Sequence, residues 1–139
     1  NGGKNIMYLS ELVQNFIIEN SEIDDFNNEF LSPLKDSKKD VDEALSFFIS
    51  NGLKNPNSVL TGASDFLHLL GNFCIGFMWA KMVAAIHKEN ANFNKNTFQE
   101  GKIITGKYYM QNILPKTRYL AKKIHSGDKL IMSLNTDQF

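Results

Sequence analysis

The residues of this chain whose types and spacing could do chemistry lie close together. At 100° per residue on a helix, Thr61, Asp65, His68, Asn72 and Trp79 fall on one narrow stripe. A carboxylate and an imidazole on a shared face could bind a ligand or handle a proton. A mechanism also needs a reacting partner such as a nucleophile, and the stripe supplies none. The simpler reading is a seam of hydrogen-bonded polar groups between helices or subunits, where buried donors and acceptors find partners, and it is the one preferred.

Other chemistries are missing. His68, His87, His125 and Cys74 share neither a helix face nor a short ligand spacing, so no metal cluster is expected. Gly2-Gly3 lacks the preceding strand and the rest of a phosphate-binding loop. There is no nucleophile elbow and no pair of carboxylates in an apolar setting. Asp24 and Asp25 sit in a polar stretch and read as solvated. Cys74, the only cysteine, lies in an apolar run and reads as a small hydrophobe. Phe77, Trp79, Tyr108 and Tyr109 fall within helical patterns and are expected in the core. No catalytic residue and no metal ligand is assigned, and cofactor contacts stay unassigned.

The elements that would position these groups are helical throughout. Ile6, Leu9, Val13, Phe16 and Ile17 recur at three- and four-residue steps, giving a first helix one apolar face. Asn20 to Asp36 is polar, acidic and contains Pro33, and reads as a weak helix or irregular linker. Ser37 with Asp40 resembles a capping box ahead of the stripe Val41, Ala44, Leu45, Phe48 and Ile49. Gly52 would end that helix in a left-handed cap. Asn55-Pro56 restarts the chain as a helix that can run to about Lys88, roughly 50 Å. Thr97-Phe98-Gln99-Glu100 is a second capping box, opening a helix toward Ser126-Gly127 that Pro115 interrupts. Asp128 would cap a last short helix through Leu130, Ile131 and Leu134. The expected fold is all-α: an antiparallel bundle of about four main helices with a short C-terminal helix.

Phe66 to Ile86 is apolar on nearly every side and approaches the length that spans a bilayer. Asp65, His68, Asn72 and Lys81 in or beside it argue for the centre of a bundle instead. Gly62, Gly71, Gly76, Ala80, Ala84 and Ala85 would let neighbouring helices come close.

A length of 139 residues suits one compact domain, and the formal net charge is zero. That balance argues against a general nucleic-acid or polybasic membrane binder, both of which need excess positive charge. Acids nevertheless concentrate early (Glu19 to Glu43) and bases late (Lys95 to Lys129). The plain interpretation is two oppositely charged faces that help the halves dock; the sharper one is a basic surface for a phosphate-bearing ligand such as coenzyme A. With one cysteine and no visible signal peptide, a reducing, cytoplasmic location is expected. The chain opens Asn1-Gly2-Gly3 without Met and reads as part of something longer.

Two stretches carry a family resemblance. Ala63-Ser64-Asp65-Phe66-Leu67-His68-Leu69-Leu70-Gly71 leads into Gly76-Phe77-Met78-Trp79-Ala80-Lys81-Met82. This resembles the helix of the C-terminal domain of the large acyl-CoA dehydrogenases, where Ser/Ala-Asp-Tyr-Leu precedes a Gly-Trp-Met-Trp-Ala-like segment; Phe66 and Phe77 replace other aromatics. Lys107-Tyr108-Tyr109, Ile113-Leu114-Pro115, Leu120, Ile124, Gly127, Leu130-Ile131-Met132-Ser133-Leu134 and Phe139 resemble the closing pattern of the same family. The resemblance covers about residues 36–139, leaving 1–35 as a connector or the tail of a preceding flavoprotein helical domain. The branch it looks most like is the 3-methylmercaptopropionyl-CoA dehydrogenase-like one.

The resemblance implies an FAD-dependent parent of fatty acid metabolism that α,β-dehydrogenates acyl-CoA thioesters. Its base and flavin would belong to domains before this one, and the parent would be a homo-oligomer. This segment would then be non-catalytic, packing on the catalytic body and shaping the substrate entrance or subunit interface. The competing reading is a free-standing helical interaction module. Exposure separates the two: a domain built to sit on a parent should show a sizeable apolar patch. A DNA-binding damage-response relative would want a basic surface, which the balanced charge disfavours.

Overall fold

The computed structural model of the chain describes residues 3–90 and 95–138, and the side chain of Asp24 is outside that description. Helices α1 (Lys4–Glu19), α2 (Asp24–Phe26), α3 (Ser32–Asn51), α4 (Pro56–Glu89), α5 (Thr97–Tyr108) and α6 (Lys116–His125) follow in order. A π-helical turn, Asn27–Leu31, joins α2 to α3, and a second, Tyr109–Ile113, leads from α5 toward α6. The chain therefore makes four rods, α1, α2–α3, α4 and α5–α6, packed as an all-α bundle. No strand occurs among the described residues.

The two π turns have a common cause. Each ends two residues before a proline, Pro33 in one case and Pro115 in the other. Proline lacks the N–H that a helix requires and its ring collides with the carbonyl four residues back. Widening the turn to the i→i+5 pattern just before it relieves both problems. The Ser32 N–H accordingly reaches the Asn27 carbonyl, and the Leu114 N–H reaches that of Tyr109 at 2.9 Å. The interruption at Pro115 is the expected one.

Around Pro33 the helical one of the two readings holds, since Asp24 to Asp36 is helical. Asp25, Asn27 and Asn28 face solvent, while Phe26, Phe30, Leu31 and Leu34 are fully buried. Phe26 and Phe30 stack at 5.3 Å. The acidic composition of the segment describes only its outer side. Because α3 has already begun at Ser32, Ser37 and Asp40 do not form a capping box; both are buried in mid-helix. The division expected at 35/36 falls inside this helix, and Val13 and Ile17 of α1 share one core with Leu34 and Val41.

Smaller details also differ. Gly52 is right-handed, with φ −56°, not a left-handed cap. The second capping box sits one residue earlier than expected. Asn96 Oδ1 accepts the Gln99 N–H at 2.9 Å, and Gln99 Oε1 accepts the Asn96 N–H at 3.1 Å. After Asp128 the described residues form two 3-10 turns, Ile131–Ser133 and Thr136–Gln138, and the apolar residues of the first are exposed. Phe139, expected at the end of the closing pattern, lies outside the described residues.

Helix α4 is the axis of the fold and packs against α3, α5 and α6. Leu69, Phe73, Ala80 and Val83 are inaccessible and meet the core residues of α3 and α6. Gly76 makes room for Leu114 here, since a Cβ would lie 2.9 Å from Leu114 Cδ1. By length and composition α4 is also apolar enough to cross a membrane, although one of its faces is built into this protein core.

Candidate functional site

The stripe Thr61, Asp65, His68, Asn72 and Trp79 marks where α5–α6 lies across α4. Following α4 from its C-terminal end, Trp79 lies against Gly106 and beneath Lys102, whose Nζ is 5.7 Å from the indole. The Asn72 carbonyl accepts the Tyr109 hydroxyl at 2.9 Å. The Asp65 carboxylate accepts from Lys123 Nζ at 3.0 Å, which raises the Lys123 pKa. One turn from the start of α4, Ser58 donates to the Asp128 carboxylate at 2.6 Å. Contacts that descend α4 while ascending α5–α6 define an antiparallel seam, in which Asp65 is the stripe side chain that hydrogen-bonds, while the bond at Asn72 uses its backbone carbonyl. Thr61 is half-buried, and His68 is exposed beside the seam.

Asp128 itself differs from expectation. Its carboxylate does not cap a C-terminal helix but accepts from Ser58 and from Asn55 Nδ2 at 2.9 Å. The Ser58 hydroxyl holds its pKa below the usual carboxylate range. Asn55 flanks the start of α4 as expected, yet its side chain is spent on this tie rather than on a helix N–H.

A second polar cluster, which sequence reasoning missed, joins α3 to α6. Buried Asp40 accepts from the Thr117 hydroxyl at 2.9 Å and from Arg118 Nη1 at 3.0 Å, and Glu43 accepts from the same nitrogen at 3.2 Å. The hydrogen bond to Asp40 raises the Arg118 pKa. Glu29 pairs with Lys107 at 2.8 Å. The early acids and late bases therefore meet across the bundle, as the plain reading of the charge asymmetry expects. The only signal of this cluster in the sequence is that asymmetry.

Among the described residues no three of His, Cys, Asp or Glu converge as a metal site would need. A cleft of about 650 Å³ beside α3 is lined by Lys35, Lys38, Lys39, Asp42 and Glu43. Charged side chains of both signs suit neither a flavin ring, which needs a flat apolar slot, nor a polyphosphate. Cys74 is half-buried, and burial pushes its thiol pKa up, the opposite of nucleophile activation.

The unusual feature is the outer side of α4. Leu60, Leu67, Ile75, Met78 and Met82 lie within about 80° of one another on the helix wheel, nearly opposite the core-facing residues. They are 72, 70, 49, 52 and 39% exposed. Phe98, Ile104 and Tyr108 of neighbouring α5 are exposed as well. An apolar stripe this long, on a helix that is also apolar inside, is a surface made to be covered.

A comparison with curated proteins finds no match. A family model described as "Acetyl-CoA dehydrogenase C-terminal like" matches residues 9–135, from within α1 to the last exposed turns. Its match takes in the whole of the bundle's core, and the chain belongs to this acyl-CoA dehydrogenase C-terminal domain family.

Proposed function

We propose that this chain is the non-catalytic C-terminal helical domain of an FAD-dependent acyl-CoA dehydrogenase. The observation that carries this reading, beside family membership, is the exposed apolar face of α4. A monomer that works alone would not leave such a stripe uncovered on its longest helix, whereas a domain of a larger assembly does. Burial of Leu60, Leu67, Ile75, Met78 and Met82 against the assembled enzyme would be driven by removal of apolar surface from water.

In this reading FAD belongs to parts of the parent outside these residues. Bound there, FAD would supply the redox chemistry of the α,β-dehydrogenation. The residues of this chain contribute rigidity and coverage. The polar ties of the α4 seam and the Asp40–Thr117–Arg118 cluster fix the helices, and the outer face of α4 meets the rest of the enzyme. We assign the acyl substrate to the 3-methylmercaptopropionyl-CoA-like branch and the location to the cytoplasm.

The test is an anaerobic visible spectrum of the full-length protein, before and after addition of short acyl-CoA thioesters, 3-methylmercaptopropionyl-CoA among them. A flavin band that bleaches supports the reading and identifies the substrate. A colourless protein overturns it and leaves the interaction module.

A further inference from the structure

The two π turns border one cavity. It holds about 550 Å³ and lies where the start of α3 faces the bend between α5 and α6. Asn28 of the first turn, Met110 and Gln111 of the second, and both Pro33 and Pro115 line it. Turns of this kind are rare and occur frequently at functional sites.

Each turn leaves an acceptor there. The Ser32 and Leu114 N–H groups donate five residues back, to the Asn27 and Tyr109 carbonyls. The next step of the same pattern would join Pro33 to the Asn28 carbonyl and Pro115 to that of Met110, and proline has no N–H to give. A third acceptor comes from α3. Ser37 lines the cavity and is 1% exposed, and its Oγ has no hydrogen-bond partner among the described residues. A buried hydroxyl without a partner costs stability, so its place in a cavity wall calls for a group from outside the fold.

The charges around the cavity favour a cation. Arg118 Nη1 is held by Asp40 at 3.0 Å and by Glu43 at 3.2 Å, and Lys39 Nζ stands 3.8 Å from Glu43. Asp36, on the exposed rim, enters no ion pair or side-chain hydrogen bond among the described residues. Asp36, Asp40 and Glu43 thus face only Lys39 and Arg118, which leaves one negative charge unmatched. A metal ion would have to compete with Arg118 for Asp40, and no three ligating side chains converge among the described residues. A primary ammonium brings three N–H donors and no acceptor, which suits a wall of free acceptors. Buried Met110 and Leu114, with the two proline rings, supply apolar surface beside them.

We propose that this cavity binds a small primary amine, a protonated ammonium on a short apolar stem. The ammonium donates to the Asp36 carboxylate and to the Ser37 and carbonyl acceptors of the wall, and the stem lies against Met110, Leu114 and Pro115. The bonds of Arg118 to Asp40 and Glu43 keep its charge from repelling the ligand. The inference does not rest on the dehydrogenase reading, since every group it uses belongs to this chain.

The test titrates n-butylammonium chloride into the full-length protein and follows the line width of its terminal methyl resonance. Saturable binding is expected, with a dissociation constant on the order of 1 mM for a ligand of this size. Butanol and butyrate should bind roughly tenfold more weakly, because neither carries the ammonium charge. Asp36→Asn changes an exposed side chain, leaves the fold intact and should weaken the amine by about tenfold. Ser37→Ala should weaken it by about threefold and also raise the urea midpoint, because it deletes a buried hydroxyl that has no partner. A serine that serves only the fold would lower the midpoint and leave binding unchanged, which overturns the role given to it. Absence of saturable binding overturns the inference. Butyrate or butanol binding as tightly as the amine does so too, and so does amine binding that Asp36→Asn leaves unchanged, which would place it elsewhere in the protein.

Discussion

The two faces of α4 are made of the same kinds of residue and meet opposite fates. On the inner face Leu69, Phe73, Ala80 and Val83 are wholly buried. On the outer face Leu60 and Leu67 stand about 70% exposed. The glycines divide in the same way, with Gly76 touching Leu114 and Gly71 touching nothing. The hydrophobic effect gives both faces the same tendency to leave water, but only one finds its partner inside this chain. One face of this all-round apolar helix serves folding, and the proposed function gives the other to assembly.

The sharpest contrast should come from truncating one side chain on each face. Phe73→Ala leaves a cavity in the buried core and should cost about 3–5 kcal/mol in urea unfolding. Leu67→Ala on the outer face should change the stability of the fold by no more than about 0.5 kcal/mol. Equal losses would break the distinction between the faces.

Next in size is the polar tie that fixes α3 on α6. Asp40→Ala removes the acceptor shared by Thr117 and Arg118 and should cost about 1–3 kcal/mol. Combined with Thr117→Val it should cost less than the two single losses together, because both remove the same bond. Additive losses would show that the cluster is not a unit.

Gly71→Ala should raise the stability of the fold by up to about 1 kcal/mol, because helix propensity improves and nothing is struck. Gly76→Ala should fail to gain, since Leu114 stands in the way. Denaturant midpoints of the two variants, measured side by side, decide this. A loss at Gly71 would mean the outer face is already packed.

The smallest effect is a dependence on pH from His87, which lies edge-on to Phe26 at 5.9 Å. Burial first, and nearby Lys95 second, lower its pKa from the ordinary 6.5. The unfolded chain therefore binds more protons as pH drops through about 6.5. Stability that is present at pH 8 should decline below that value and level off once the folded-state pKa is passed. His87→Gln should flatten the slope in this window; an unchanged slope would assign it to other groups.

Much of the fold could be read from the sequence because helical periodicity is local. The start of α4 at Pro56, its end near Lys88 and the break at Pro115 all follow from residues within a few positions of each boundary. Pro33 was legible in the same way, but the acids around it masked Phe26, Phe30, Leu31 and Leu34. A composition average hides an amphipathic turn, whereas spacing reveals it. The caps expected at Ser37 and Asp128 fail because local rules assume that a polar side chain serves its own helix. Asp40 and Asp128 serve helices 77 and 70 residues away instead.

What the sequence determined by itself was the set of helices, the polar stripe and the family, since each depends on the type and order of neighbouring residues. What only the tertiary structure decided was the use made of them. It joined the early acids to the late bases, closed the polar stripe into a seam and left one side of α4 without a partner. Those outcomes depend on which surfaces meet across many residues of chain, and helical periodicity repeats identically on every side of an apolar helix until a neighbour is packed against one of them.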